Sequence, residues 1–183
     1  MEISKTLQNN KIIKYSLIII LGSLLLTLSA KIKIPFYPVP MTMQTFVVLM
    51  LGITLGSKLG AFTVLIYIIE GIFGLPVFSN SPEKGIGVAY FTGPTMGYLI
   101  GFVFAAYIAG NVSLKMNFFK ITIIILISVS IIYLLGMLWL GNLLTWNKPI
   151  FELGAKPFLF AELFKVTLLI LLSKKLIKIR EFI

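Results

Sequence analysis

The sequence predicts an all-α integral membrane protein of six transmembrane helices, and three observations predict it. Of its 183 residues, 58% are hydrophobic and 12% are charged, with a mean hydropathy of +1.04. A water-soluble fold has too little polar surface to cover that much apolar area. Uncharged runs recur at lengths near the roughly 20 residues a helix needs to cross the hydrocarbon layer. The basic residues sit at the edges of those runs. Six such spans with short connections form a single membrane domain and leave no room for a separate catalytic one.

The first span is read at 12–30. Lys5, Lys11 and Lys14 precede its apolar run, a layout that also resembles a signal peptide. The run from Tyr15 to Ala30 is long for a signal core, and Thr27-Leu28-Ser29 is a poor cleavage site, so a retained span is expected. The second and third spans, at 41–57 and 59–73, meet at Lys58. The third is short, and the longest loop follows it. Pro76, Pro82 and Pro94 with Gly74, Gly85, Gly87 and Gly93 forbid one continuous helix there. The remaining spans are read at 94–113, 121–143 and 157–174.

Six spans put both termini on one side. That side holds ten of the sixteen basic residues, the other side holds five, and Lys165 lies inside the sixth span. By the positive-inside tendency both termini are expected in the cytoplasm, in a bacterial-type cytoplasmic membrane. The loops at 31–40, 74–93 and 144–156 then face outward together. Gly52, Gly56 and Gly60, and Gly93, Gly97, Gly101, Ala105 and Ala109, form ladders of small residues at every fourth position. Such ladders let a neighbouring helix approach closely, in internal packing or against a partner.

Composition excludes much chemistry. The chain has no Cys and no His, which removes disulfides, thiolate nucleophiles, zinc clusters and imidazole catalysis. It also has no Asp and no Gly-Lys-Ser/Thr phosphate cradle, so it is not expected to hydrolyse ATP. A net charge of +10 does not signal nucleic acid, because the lysines flank apolar spans; they are expected to set orientation and to touch anionic membrane lipid.

Three places carry candidate chemistry. Glu162 and Lys165, spaced i, i+3, share a face of the sixth span, where a charge is costly enough to mark a site. Counted from Pro157 they lie roughly 7 to 12 Å below the helix start, which makes a shallow site or, in the plainer reading, a mutual ion pair. The segment Pro35-Phe36-Tyr37-Pro38-Val39-Pro40-Met41-Thr42-Met43-Gln44-Thr45 leads into the second span. Its prolines hold an extended backbone, and Thr42 and Gln44 offer neutral donors and acceptors, unless the segment is only a rigid connector. The glycine-rich stretch from Gly71 to Asn80 is tolerated at membrane depth only where it is buried or lines a cavity. Asn80 and Tyr90 would then reach a ligand beneath it, or the stretch is a structural cap.

The elements P-V-P-M-T-M-Q-T-F from Pro38 to Phe46, G-x-x-G-L-P-V-F from Gly71 to Phe78, and G-P-T-x-G-Y-x-x-G-F from Gly93 to Phe102 resemble the BioY family in order, spacing and position between spans. The family's members are the biotin-specific substrate-binding subunits, or S-components, of energy-coupling factor importers. The resemblance implies a six-helix S-component-like fold without a resident cofactor. It also implies biotin captured near the outer face and energy supplied by a membrane coupling protein with paired ATPases. Where the family usually reads G-D-x-x-K, this chain has Ala161-Glu162-Leu163-Phe164-Lys165, with the lysine kept and the acid longer by one methylene. On this resemblance Glu162 would accept a ureido N–H of biotin, and Lys165 would meet the ureido carbonyl or an anionic group. Asn80, Thr42 and Gln44 would supply further hydrogen bonds, and Phe36, Tyr37 and Tyr90 would pack on the sulfur ring. The alternatives are an S-component for another vitamin, a small intramembrane enzyme using Glu162 as acid-base, and a structural subunit without a ligand.

Overall fold

In the computed structural model, which describes residues 2–34 and 37–183 and side chains from Lys11 onward, six helices carry the architecture. They are α1 (Glu2–Lys31), α2 (Gln44–Leu55), α3 (Ser57–Ile72), α5 (Met96–Ala109), α6 (Phe118–Leu143) and α8 (Leu159–Arg180), joined by two five-residue helices, α4 (Gly87–Phe91) and α7 (Ile150–Gly154). A two-residue strand on each side of the first loop, β1 (Lys33–Ile34) and β2 (Met41–Thr42), pairs antiparallel with Lys33 opposite Thr42.

The bounds differ from the sequence reading where local chemistry competes with hydropathy. Residues 41 and 42, read as the start of the second span, are extended, because Pro38 and Pro40 favour extended backbone before them and β1 then pairs with the strand. The fourth span starts at Met96 rather than 94, after the Gly93-Pro94-Thr95 turn, and ends at Ala109. The sixth continues to Arg180, since Lys174, Lys175 and Lys178 are good helix formers whose charges need no hydrocarbon.

Among the described residues, two helical stretches are long and apolar enough to cross a membrane alone, Lys11–Lys31 and Phe118–Leu143, with hydropathies of 2.0 and 2.7. By contrast α2 and α5, with 12 and 14 residues, are only about 18 and 21 Å long. Both begin at the end of the bundle away from Lys14 and Phe182, and residues at or beside their starts, Gln44, Thr45, Thr95 and Tyr98, line a hollow between the helices.

Helix α5 is central and packs on α2, α3 and α6, while α8 packs on α2 and α6. The ladder of small residues on α5 serves this internal packing. A side chain at Gly101 would lie 2.8 Å from the Cα of Ile132, and Ala105 and Ala109 have no exposed surface. Helix α1 sits at the side on α2 and α3. Its Leu17, Leu21, Leu24 and Leu28 remain exposed as one stripe, the pattern of a helix facing lipid.

Buried polar bonds hold the ends together. Arg180 donates from Nε (3.1 Å) and Nη2 to the Ile53 carbonyl and from Nη1 to that of Val112 (3.3 Å), capping α2 and fastening the α5–α6 connection. At the other end Tyr98 Oη donates to the Gly154 carbonyl at 2.7 Å, tying α5 to α7. Tyr98→Phe leaves that buried carbonyl unpaired and is expected to lower the thermal midpoint of the detergent-solubilised protein by about 2–4 °C.

Candidate ligand site

The hollow is a cavity of about 560 Å³, counting its mouth and the solvent open to it. Met41, Thr42, Gln44 and Thr45 line it from β2 and the start of α2, and Phe78 and Ser79 from the loop after α3. Tyr90 enters from α4, Tyr98, Leu99 and Phe102 from α5, Ile132 and Tyr133 from α6, and Phe158, Glu162 and Lys165 from the chain entering and forming α8.

On α8 the i, i+3 spacing turns Glu162 and Lys165 to one face, toward the start of α2. Lys165 Nζ lies 2.8 Å from Glu162 Oε1, 2.6 Å from the Thr42 carbonyl oxygen and 2.8 Å from Thr45 Oγ1. These contacts use all three donors of the ammonium. Thr45 Oγ1 donates in turn to Glu162 Oε1 at 2.8 Å. Glu162 and Lys165 are only 6% and 4% exposed, and such burial is sustainable because each charge has its opposite beside it.

The pair is unbalanced in one respect. Glu162 Oε1 accepts twice, whereas Oε2 is, among the described residues, the buried side-chain polar atom with no hydrogen-bond partner. The phenol of Tyr133 faces this carboxylate as its neighbouring hydrogen-bonding group, without closing a hydrogen bond to Oε2. A buried carboxylate oxygen lacking a donor costs about 1–3 kcal/mol, which a ligand N–H would recover.

The other walls are aromatic, with polar atoms at fixed places. The Phe78 ring stacks on Tyr90 at 5.1 Å and meets Tyr67 edge-on at 5.7 Å. Gly71 makes room for it, since a Cβ there would strike the Phe78 ring, and this accounts physically for the glycine that opens G-x-x-G-L-P-V-F. Tyr90 Oη is 3.1 Å from Ser79 Oγ and accepts from the Asn80 backbone N–H at 3.3 Å. Gln44 Nε2 donates to Tyr67 Oη at 2.8 Å, which donates to the Val77 carbonyl at 3.1 Å.

Of the residues predicted from sequence, Glu162, Lys165, Thr42, Gln44 and Tyr90 come together on the cavity. Asn80 lies one residue past the lining Ser79, and its Oδ1 accepts from Lys33 at 3.0 Å. Tyr37 is 79% exposed, with Lys84 Nζ 5.7 Å from its ring centroid, and does not line the cavity. Phe36 lies outside the described residues. The reading from sequence missed Thr45, Ser79, Tyr98, Tyr133 and Phe158. Thr45 was within reach of it, being next to Gln44 in the first motif; Tyr133, a lone phenol in a long apolar helix, gives only the hint that a buried hydroxyl needs a partner.

Comparison with known proteins gives one consistent result. The sequence model of the BioY family matches residues 4–182. A protein of Pyrococcus horikoshii named as a probable biotin transporter BioY is 36% identical over 152 residues, covering 83% of this chain and 89% of its own. The biotin transporter BioY of Thermotoga maritima is 35% identical over 156 residues, covering 85% and 90%. Among solved structures, the S-component for biotin from an ECF-type ABC transporter superposes with a TM-score of 0.76 at 26% identity, over 93% of this chain and 94% of that one.

Proposed function

The chain belongs to the BioY family, and from that premise we propose that it is the biotin-capturing S-component of an energy-coupling factor importer. Its relatives are named as transporters, and the enzyme reading of the Glu162–Lys165 pair is set aside on that ground. Energy comes from a coupling module with separate ATPases, its partners in the assembled importer.

One observation carries the assignment of the site: a buried carboxylate oxygen, Glu162 Oε2, without a donor in a cavity walled by aromatic rings. Biotin presents two ureido N–H donors beside an apolar sulfur ring, the chemistry such a site lacks. The reading gives Glu162 Oε2 a ureido N–H, and Phe78, Tyr90 and Phe158 the faces of the ring system. Lys165, with its three donors engaged within the protein, acts by holding Thr42, Thr45 and Glu162 in register. Thr42 and Gln44 remain for the ureido carbonyl or the valerate. Asn80 serves by shaping the Ser79–Tyr90 pair. The ten-to-five bias of basic residues supports cytoplasmic termini and an outward-facing cavity, in a cytoplasmic membrane whose anionic lipids meet the basic end.

Calorimetric titration of the full-length protein in nanodiscs, without nucleotide, tests this reading. The expected result is saturable biotin binding that thiamine and riboflavin do not compete away. Competition by either vitamin at equal concentration would move the protein to another cargo, and absence of any heat at micromolar biotin would end the reading. In the same assay Tyr37→Ala, which alters an exposed ring, is expected to change the affinity by less than about twofold.

A further inference from the structure

Two lysines at the cavity end of α1 do something that binding alone does not require. Lys31 is the last residue of α1 and Lys33 the first of β1, so they flank Ile32 and reach the same segment, the loop after α3. Lys31 Nζ donates to the carbonyls of Phe78 (2.8 Å) and Ser81 (2.6 Å). Lys33 Nζ donates to the Ser79 carbonyl (2.8 Å), Asn80 Oδ1 (3.0 Å) and Glu83 Oε2 (3.0 Å). Two of the carbonyls they seize belong to Phe78 and Ser79, which line the cavity.

Apart from Tyr67 Oη, which donates to the Val77 carbonyl at 3.1 Å, little else bonds the backbone of that segment to the bundle. Among the described residues, no backbone–backbone hydrogen bond joins 76–84 to another helix; those it makes stay within 75–85. Gly74 and Gly85 bound it with φ of +98° and +102°, and neither has an atom within 4 Å of where a Cβ would stand. The two glycine turns supply backbone freedom for a swing, and Phe78, buried among Tyr67, Tyr90 and Phe91, is the packing that such a swing has to undo. On the cavity side the Tyr90 phenol and the stacking of Phe78 hold it, and across its back the five lysine bonds hold it to α1 and β1. Lys33 also keeps the exposed Glu83 carboxyl below the usual carboxylate range by donating to it.

We propose that Lys31 and Lys33 form a latch that keeps the 78–83 segment closed over the cavity, so that its opening governs how fast biotin enters as well as how fast it leaves. The proposal rests on the biotin reading of the cavity. A residue that only shapes the site changes the release rate and leaves the entry rate alone. A latch changes both, because entry is proportional to the open fraction of the free protein, and release to the open fraction of the bound one.

The test is stopped-flow mixing of biotin with the full-length protein in nanodiscs, read by the fluorescence of Trp139 and Trp146 or by biotin displacement. Lys31→Met combined with Lys33→Met keeps the apolar stems and removes all five bonds. It is expected to raise the association and dissociation rate constants each by about tenfold, with a smaller change in Kd. Lys33→Met alone, which keeps the Lys31 bonds and serves if the double variant fails to fold, is expected to raise both by about threefold. Arginine at both positions, which retains the donors, is expected to bring both rates back toward wild type. A rise in dissociation alone, or unchanged rates, overturns the latch while leaving biotin binding intact. A wild-type protein that binds no biotin overturns the reading beneath it.

Discussion

Lys165→Ala is expected to weaken biotin binding by about 100-fold or more, whereas Lys148→Ala leaves it within about twofold of wild type. The contrast follows from where the charges stand. Lys148 is exposed in the α6–α7 connection. Lys165 is buried and donates to Thr42, Thr45 and Glu162 together. Its removal leaves a 94%-buried carboxylate without its cation, and breaking one side of such a pair costs about 3–5 kcal/mol. The variant relieves that cost by moving the carboxylate of Glu162 toward water, and that movement takes the acceptor out of the place the proposed site needs. Glu162→Gln keeps the size and, through its amide oxygen, the bonds from Lys165 and Thr45, but puts a donor in place of Oε2 and removes the counter-charge of the buried lysine, so binding is expected to fall and the folded fraction with it. Calorimetry gives the affinity and size-exclusion chromatography the folded fraction.

Gly97→Val is expected to cost most of the folded protein. A side chain at Gly97 would run into the Leu135 carbonyl, 2.5 Å from Trp139 Cβ and 3.0 Å from Gly136 Cα. Two of those obstacles are backbone, and cannot turn aside as a flexible side chain does. Over-packing in a well-filled interior costs about 1–3 kcal/mol and more where the backbone must separate. Here the separation would open the α5–α6 contact that forms two walls of the cavity. Phe160→Val, at a ring 88% exposed on α8, is the matched control and is expected to change little. The monodisperse fraction after detergent extraction and the thermal midpoint read both variants.

The family and the membrane fold were legible in the sequence because hydropathy and loop motifs are local. Glu162 and Lys165 were legible for the same reason: two charges three residues apart in an apolar run stand out without any structure. Thr45 and Tyr133 were not. Their part depends on α2 and α6 reaching the same carboxylate on α8, a contact between residues far apart in the chain that periodicity does not carry. Tyr37 shows the converse. An aromatic ring among prolines beside the site looks like a wall, yet the chain turns it outward over Lys84. The sequence places the start of the second span too early because Met41 and Thr42 are uncharged and run on into it, while pairing with β1 takes them into a strand.

In the proposed site, Glu162 Oε2 is the acceptor for a ureido N–H of biotin. A structure of the protein grown with biotin measures it directly. Density for the bicyclic ring system is expected between Tyr90 and Phe158, with a ureido nitrogen within hydrogen-bond distance of Glu162 Oε2. Density elsewhere, or a bound biotin whose ureido group faces away from α8, would contradict it.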